Sequence, residues 1–167
     1  MPKIERIKKR HFLKKGDQRD LLDYIENTLA TEVNLDSKAR FEEGILDDGS
    51  KVILLDDEIV FIEMEGRIFP TLKALLQKII SIPCITVDMG AVRFVANGAD
   101  IMRPGITKID EGIEKDTIVA VVDERHGKPL AIGISTMDTE ALRAADSGKV
   151  ILSKHYVGDD LWEYGKV

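Results

Sequence analysis

The chain of 167 residues has one cysteine, Cys84, and lacks the features that mark secreted and membrane proteins. A single thiol cannot form an internal disulfide or a cysteine-rich zinc cluster, and this usage is typical of a reducing cytoplasm. No apolar run approaches the roughly 20 residues that span a bilayer. The basic N-terminus is not followed by the apolar segment of a secretory signal. We therefore expect a cytoplasmic protein without a membrane segment, in which Cys84 is a small buried residue at the start of a strand.

The sequence also lacks the motifs that carry most enzymatic chemistry. It has no glycine-rich phosphate loop that ends in Lys-Ser or Lys-Thr, no GxSxG elbow and no HExxH. Its three histidines, His11, His126 and His155, have no neighbours with the spacing of a triad or a metal cluster. Asp159-Asp160 is interpreted as a turn, since no other metal ligand accompanies it. We expect no catalytic residue, no metal and no cofactor.

Charge is distributed unevenly along the chain. The chain has 24 Lys or Arg and 30 Asp or Glu, which gives a net charge of −6. The first 19 residues contain eight of the basic residues and two of the acidic ones. The rest of the chain therefore has 16 basic and 28 acidic residues. A ligand responds to the local field of a cluster, because exposed charges are screened beyond a Debye length. The basic run predicts a nucleic-acid-binding patch, and a solvated strand is the alternative. The patch comprises Lys3, Arg6, Lys8, Lys9, Arg10, Lys14 and Lys15.

The first 33 residues predict a strand followed by a helix. Residues 2–12 alternate loosely between apolar and basic side chains, which is typical of an edge strand with a basic outer side. Apolar residues then recur at helical spacing from Leu21 to about Val33. Asp17 precedes them and is a good N-cap candidate.

Residues 41–80 predict strands and a second helix. Asp48-Gly49 is a hairpin signal, and Asp56-Asp57 indicates another turn. The segment from Thr71 to Ile80 has an apolar stripe at helical spacing, and Thr71 can cap it. Together with the first strand, these elements predict a sheet of four or five antiparallel strands with two helices.

The segment between residues 87 and 106 is dense in residues that shape the backbone. AVRFVAN predicts one or two turns of helix, which the glycine at residue 98 ends as a C-terminal cap. Pro104 begins a turn signal. Asp88 is interpreted as a residue whose side chain hydrogen-bonds the turn that follows it. Three glycines in this segment can adopt a positive φ or admit another chain at short range: Gly90, Gly98 and Gly105.

The last third of the chain predicts two buried strands and a helix. The β-branched stretches Ile113–Val122 and Leu130–Ile134 are typical of core strands. Asp138–Ala145 predicts a short helix that Thr136 or Asp138 caps.

The order of residues from 87 to 106 resembles the opening of a PUA domain, the small pseudo-β-barrel named for pseudouridine synthases and archaeosine transglycosylases. DTIVAVVDE, KPLAIGIST and GKVILSKHYVGDDLW, which follow, are similar to the later strands and the closing segment of that family. The resemblance covers about half of the chain. The shared residues of the opening are Asp88, Gly90, Ala91, Phe94, Val95, Gly98, Ala99, Met102, Pro104, Gly105 and Ile106.

A more specific resemblance adds FPTLKALL and Pro83 ahead of that opening. The combination is similar to the malignant-T-cell-amplified-sequence family and its archaeal relatives, which are small stand-alone proteins. It implies an α+β protein with a sandwich-like N-terminal pre-PUA domain, residues 1–81, and a C-terminal PUA pseudo-β-barrel, residues 82–167. It also implies an RNA-binding, translation-related factor that recognises tRNA, at its 3′ end, or rRNA. The small ribosomal subunit or another translation factor is the further partner implied.

The resemblance also implies where RNA would bind. In PUA domains RNA lies against the short helix, the glycine-flanked loops and the closing strand. Arg93 and Arg103 would then supply charged hydrogen bonds, and the helix N-terminus at Ala91 would attract a phosphate. The implied RNA-binding residues are Gly90, Ala91, Arg93, Phe94, Gly98, Ala99, Met102, Arg103, Lys154 and His155.

Each of these assignments has a structural alternative. Phe94, Val95 and Met102 are apolar and are interpreted first as core residues. His155 could form a buried pair with Tyr156, and Trp162 is expected to close the bottom of the barrel. Three other functions stay open: an accessory subunit that presents RNA to a tRNA- or rRNA-modifying enzyme, an enzyme that uses Asp88, and a protein-interaction module.

Overall fold

The computed structural model describes residues 4–165. They form two compact units. The N-terminal unit comprises residues 4–81 and 160–165, and the C-terminal unit comprises residues 82–159. Residues 160–165 thus group with the first unit, although the sequence-based division placed them in the second domain. Lys3, a member of the predicted basic patch, lies outside the described residues.

The N-terminal unit is built on a five-stranded antiparallel sheet whose strands follow one another in chain order. The turn at Asp48-Gly49 joins the second strand to the third, and Asp56 and Asp57, both at positive φ, join the third to the fourth. Both predicted turns are therefore confirmed. The strands are β1 (Lys8–Phe12), β2 (Glu42–Ile45), β3 (Lys51–Leu55), β4 (Glu58–Met64) and β5 (Arg67–Pro70). The predicted basic edge strand is confirmed for Lys8–Phe12, the part that forms β1: among the described residues β1 pairs with β2 alone, and all its residues are exposed. Residues 4–7 are not part of the strand.

The first helix, α1 (Lys15–Leu29), starts earlier and ends sooner than predicted. Asp17 lies within its first turn rather than at its N-cap, and no side chain caps the helix. The helix stops where Ala30 adopts a left-handed conformation with a φ of 53°. Its fully buried residue, Ile25, packs into the core of the unit.

The second helix, α2 (Leu72–Leu76), has the cap that the sequence predicts. The Ala74 amide donates to Oγ1 of Thr71 at 3.3 Å. The predicted extension to Ile80 is wrong, because Lys78 adopts a positive φ of 59° and ends the helical path. The core beside α2 contains Phe41 and Phe61, whose rings meet edge to face with 6.2 Å between centroids.

The C-terminal unit contains six strands that form one sheet. They are β6 (Cys84–Val87), β7 (Ile101–Met102), β8 (Ile106–Ile109), β9 (Ile118–Asp123), β10 (Pro129–Ser135) and β11 (Lys149–Tyr156). Their order in the sheet is β7-β11-β10-β9-β6-β8. Neighbouring strands are antiparallel except for the parallel pair β6 and β9. The buried, β-branched residues of β9 and β10 supply the centre of the core.

Two sequence predictions in this unit differ in outcome. The predicted strand over Ile113–Val122 begins only at Ile118, because Asp116 has a positive φ and interrupts it. Ile113 is nonetheless buried. The predicted helix near residue 140 is present between Thr139 and Ala144, and the Ala141 amide donates to Oδ1 of Asp138 at 2.8 Å. Asp138 is therefore the confirmed cap.

Cys84 is the first residue of β6, as the sequence predicts, but it is only half-buried. Burial raises the pKa of its thiol above the ordinary value, and the nearby Asp110 carboxylate acts in the same direction. A raised thiol pKa lowers the thiolate fraction at neutral pH, so Cys84 is not an activated nucleophile.

Trp162, which the sequence predicts to close the bottom of the barrel, lies in a four-residue helix, Asp160–Glu163, that groups with the N-terminal unit. The Lys73 ammonium stands over its ring, 4.2 Å from the centroid. The ring therefore contacts α2, because an aromatic face attracts a cation placed above it. Within residues 4–165, none of the helices combines the length and the apolar character needed to span a membrane.

Candidate nucleic-acid interface

A short helix, Met89–Val95, occupies the connection between β6 and β7, and we call it the site helix. Asp88 precedes it in an extended conformation, and Oδ1 of Asp88 accepts the Ala91 amide at 2.9 Å. The Asp88 amide donates to the Gly105 carbonyl at 2.9 Å. Asp88 therefore has the structural role that the sequence predicts, and it fixes the start of the site helix next to the turn around Pro104.

The site helix ends at Val95 with Ala96 as its C-cap, so the prediction that Gly98 caps it is wrong. Gly98, which has a φ of 89°, lies in the turn that follows. The Gly98 amide donates to the Val95 carbonyl and the Ala99 amide to the Phe94 carbonyl, each at 3.0 Å. A Cβ at Gly98 would lie 2.7 Å from the ring of Tyr156. Glycine is required both by the left-handed backbone and by the ring that packs against it.

A cleft of about 410 Å³ opens between the site helix and the turn around Pro104. Its walls are apolar except for two carboxylates, Asp88 and Asp100. It is lined by Asp88, Gly90, Ala91, Phe94, Val95, Ala99, Asp100, Ile101, Met102, Pro104 and Gly105. The structure thus places Gly90, Ala91, Phe94, Ala99 and Met102, five of the predicted contact residues, around one concavity.

Phe94 and Met102 are exposed side chains on this cleft. Phe94 is 54% exposed and Met102 is 48% exposed, whereas the neighbouring Val95 is 2% exposed. The interpretation of Phe94 and Met102 as core residues is therefore wrong, while it is right for Val95. The Arg93 guanidinium lies over the Phe94 ring, 4.8 Å from the centroid. An exposed ring with a cation on it is a surface on which a planar group can stack.

The two carboxylates of the cleft already have partners. Oδ1 of Asp100 accepts the Ser153 amide at 2.8 Å, and its Oδ2 lies 3.7 Å from Nζ of Lys149. Asp88 is engaged in capping, as described above. Both carboxylates therefore have a structural role, since each fixes a backbone amide through its Oδ1 atom.

The N-terminus of the site helix is also occupied. Oε1 of Glu124 accepts the Met89 amide at 3.3 Å, in addition to the bond between Asp88 and Ala91. A phosphate at this helix end would meet two carboxylates, and the predicted anion role of the amide at Ala91 is therefore disfavoured. The cleft fits an uncharged, planar or sugar-like group better than a phosphate.

The other five predicted contact residues lie outside the lining of the cleft: Arg93 and Gly98, described above, and Arg103, Lys154 and His155. Arg103 is half-buried, and its Nε and Nη1 donate to the carbonyls of Leu142 at 2.7 Å and Ile106 at 3.2 Å. His155 is 1% exposed, and its Nδ1 lies 2.8 Å from Oδ2 of the buried Asp159. This burial contradicts a contact between the His155 side chain and RNA and gives it a structural role. Lys154 is partly buried on β11.

The loop between β9 and β10 is organised by Asp123. Its carboxylate accepts three amides: those of Arg125 at 2.9 Å, His126 at 2.6 Å and Lys128 at 3.2 Å. These bonds, the one from His126 first, lower the pKa of Asp123. The same loop contains Glu124, which accepts the Met89 amide at the start of the site helix. Asp123 therefore fixes the loop that contacts the site helix.

Replacing Asp123 with asparagine is expected to reduce the loss of stability that occurs when the pH is lowered from 7 to 3. A carboxyl whose pKa is lowered by folding stabilises the protein above the ordinary pKa of Asp, about 4, and loses that effect as pH falls through the lowered value. D123N should therefore unfold at lower urea concentration than the wild type at pH 7, with a smaller difference at pH 3. Urea midpoints at the two pH values measure this. An equal difference at both would contradict a role for the charge.

The basic patch is only partly available to a ligand. Lys8 pairs with Asp47 at 3.4 Å, and Arg10 contacts Glu42 at 2.9 Å and Asp57 at 2.7 Å. The hydrogen bonds to the carboxylates of Glu42 and Asp57 raise the pKa of Arg10 above its ordinary value. The other described members of the patch, Arg6, Lys9, Lys14 and Lys15, are exposed.

Residues 4–165 contain no group of three His, Cys, Asp or Glu side chains that could hold a metal ion. Sequence reasoning missed Asp100 as a lining residue of the cleft. Its position directly after the Asn-Gly-Ala that follows the site helix was the available signal, because a short carboxylate there can bind amides of a neighbouring strand.

Family models match most of the chain. The PUA domain model matches residues 83–157, and a domain of unknown function matches residues 9–78. A solved PUA domain of Aeropyrum pernix K1, described as a tartrate complex, superposes with a TM-score of 0.80 at 28% identity, and covers 95% of this chain and 90% of that one. The fold and the cleft beside the site helix thus define a PUA-domain protein, and the predicted α+β fold class is confirmed.

Two relatives specify the family. An uncharacterized protein of Methanocaldococcus jannaschii is 39% identical over 162 residues, which cover 95% of this chain and 98% of the relative. Translation machinery-associated protein 20 of Saccharomyces cerevisiae is 33% identical over 133 residues, 76% of this chain and 74% of that one. The chain belongs to the malignant-T-cell-amplified-sequence family, which includes these translation-machinery-associated proteins.

Proposed function

We propose that this protein binds RNA through the cleft beside the site helix and acts in translation in the cytoplasm, without catalysing a reaction. The observation that carries the proposal is the exposed pair Phe94 and Met102 on the apolar cleft of a PUA domain. Stacking on an exposed ring accepts any base, because every base has a flat π-face.

The geometry favours a particular mode of binding. A base or ribose of an unpaired nucleotide enters the cleft, where its polar edge meets the acceptor oxygens of Asp88 or Asp100. The phosphates stay at the rim, where the exposed Arg93 can bind them. A single-stranded end satisfies both demands, since its bases are free to leave a stack. We infer that the target is the 3′ end of tRNA.

The translation role is supported by the relative from Saccharomyces cerevisiae, which is named for the translation machinery. The partner proposed beside tRNA is the small ribosomal subunit. Exposed members of the basic patch (Arg6, Lys9, Lys14 and Lys15) would add contacts with phosphates. An accessory subunit of an RNA-modifying enzyme would bind RNA equally but would remain associated with that enzyme.

A salt titration tests the proposal. Binding is measured by fluorescence anisotropy with deacylated tRNA, with the same tRNA lacking its single-stranded 3′ end, and with purified small ribosomal subunits. We expect affinity for intact tRNA to fall steeply with salt, by about 0.7 log units per log unit of salt for each phosphate contacted in a single strand. The truncated tRNA should bind at least about tenfold more weakly, which corresponds to loss of one stacked base.

Each other outcome contradicts a defined part of the proposal. Absence of binding to any RNA at low salt would overturn RNA recognition itself. Equal affinity for intact and truncated tRNA would overturn recognition of the 3′ end. Binding to tRNA without binding to ribosomal subunits would remove the proposed ribosomal partner.

A further inference from the structure

A second groove, of about 510 Å³, lies on the N-terminal unit between the start of α1 and the loop before β2. Gln18 holds its walls together. Its Oε1 accepts the Phe41 amide at 2.8 Å and its Nε2 donates to the Ala39 carbonyl at 3.1 Å. The loop is therefore fixed against the helix by two hydrogen bonds from one side chain, and the groove is a preformed feature.

An aromatic ring stands beside this groove on the edge strand β1. Phe12 is 53% exposed, and the guanidinium of Arg40, which lines the groove, lies 4.8 Å from the centroid of its ring. This pair repeats the arrangement of Arg93 on Phe94 in the other unit.

Three of the seven side chains that line the groove are cationic, and none of the seven is acidic. Lys15 and Lys38 line it together with Arg40, and the exposed Lys14 precedes α1. Within residues 4–165, no carboxylate lies within ion-pair distance of these four side chains. The nearby Asp36 carboxylate accepts the Lys38 amide, so it fixes the loop. The groove thus differs from the Lys8 and Arg10 part of the basic patch, whose charges are neutralised.

We propose that this groove is a second RNA site, which takes a single-stranded segment with one base on the Phe12–Arg40 pair and phosphates on Lys15 and Lys38. Cations alone would also attract an acidic peptide, but the ring and guanidinium add a flat platform that a base uses and a carboxylate side chain does not. The site goes beyond the proposed function, because it lies in the part of the chain that matches a domain of unknown function. It shares with that function the class of ligand and two cations of the basic patch, Lys14 and Lys15.

The test is a nuclear magnetic resonance titration of the full chain with a hexauridylate. We expect amide shifts at residues 12–18 and 36–41 in addition to shifts around the cleft of the other unit. The double variant Phe12→Ala/Arg40→Ala should bind the hexauridylate at the groove about tenfold more weakly, as expected for loss of one stacking contact.

Two variants serve as matched controls. Tyr24→Ala removes another half-exposed ring of the same unit, and Arg67→Ala removes a guanidinium that lies 5.8 Å from the ring of Phe69, which is fully buried. Neither Tyr24 nor Arg67 belongs to a pair of an exposed ring and a cation, and both variants keep the Phe12–Arg40 pair. Both should therefore bind the hexauridylate like the wild type. A thermal melt of each variant checks that the unit is folded.

The outcomes separate this site from the proposed function. Shifts at the groove alone would support the second site and contradict the cleft of the C-terminal unit. Shifts at the cleft alone, or equal binding by the double variant, would overturn the second site. Stronger shifts at the groove with a hexaglutamate peptide than with hexauridylate would overturn the choice of RNA as its ligand. No shifts with either probe would overturn both sites.

Discussion

Replacing Phe94 and Met102 together with alanine is expected to weaken RNA binding by ten- to a hundredfold while leaving the fold intact. Loss of a stacked base costs about 1–3 kcal/mol, and 1.4 kcal/mol corresponds to tenfold in affinity. The side chains are 54% and 48% exposed, so their removal takes little apolar surface out of the core. Substitutions at such positions change stability by about 0.5 kcal/mol or less.

The measurement is anisotropy of labelled tRNA with each variant at one salt concentration, beside a urea denaturation of the same preparations. Leu152→Ala is the matched control, because Leu152 is 37% exposed in the same unit but does not line the cleft. It should bind RNA like the wild type. Wild-type affinity in the double variant would show that RNA is bound elsewhere, and a large loss of stability would show that the two side chains are structural.

Replacing Gly133 with alanine is expected to destabilise the C-terminal unit by about 3 kcal/mol, the upper part of the usual range for overpacking. A Cβ there would lie 2.7 Å from the backbone carbonyl oxygen of Leu152 and 2.7 Å from Cγ2 of Ile151. Gly133 lies on β10, and both atoms belong to the neighbouring strand β11. β10 pairs with β11 on one side and with β9 on the other. A strand held from both sides cannot move away to relieve the contact.

Gly112→Ala separates this steric effect from backbone strain. Gly112 has a φ of 81° and nothing within 4 Å of an added Cβ, so alanine there costs only the left-handed conformation, about 1–2 kcal/mol. Hydrogen exchange of β10 amides reports the C-terminal unit, whereas fluorescence of Trp162 reports the N-terminal unit to which that residue belongs. A smaller effect for Gly133→Ala than for Gly112→Ala would contradict the tight packing of β10 on β11.

Local hydrogen-bonding signals in the sequence predict much of this structure. Thr71, Asp88 and Asp138 cap the helices that follow them, because a short polar side chain can reach an amide only three residues away. Asp48-Gly49 and Asp56-Asp57 form turns for a similarly local reason, the ability to adopt unusual φ values. Errors occur where a local preference is overruled, as at Lys78, where α2 ends before its apolar stripe does.

The sequence by itself determined most of the local elements, several of their caps and turns, and, through resemblance, the PUA class of the C-terminal half. Only the tertiary structure decided which apolar side chains face water. Phe94 and His155 show the difference: the aromatic residue is half exposed on a cleft, and the polar residue is buried against Asp159. The contact between Arg40 and Phe12 could likewise not be predicted from the sequence, because 27 residues separate them in the chain. Burial and such pairs depend on contacts between distant segments, which composition and periodicity do not encode.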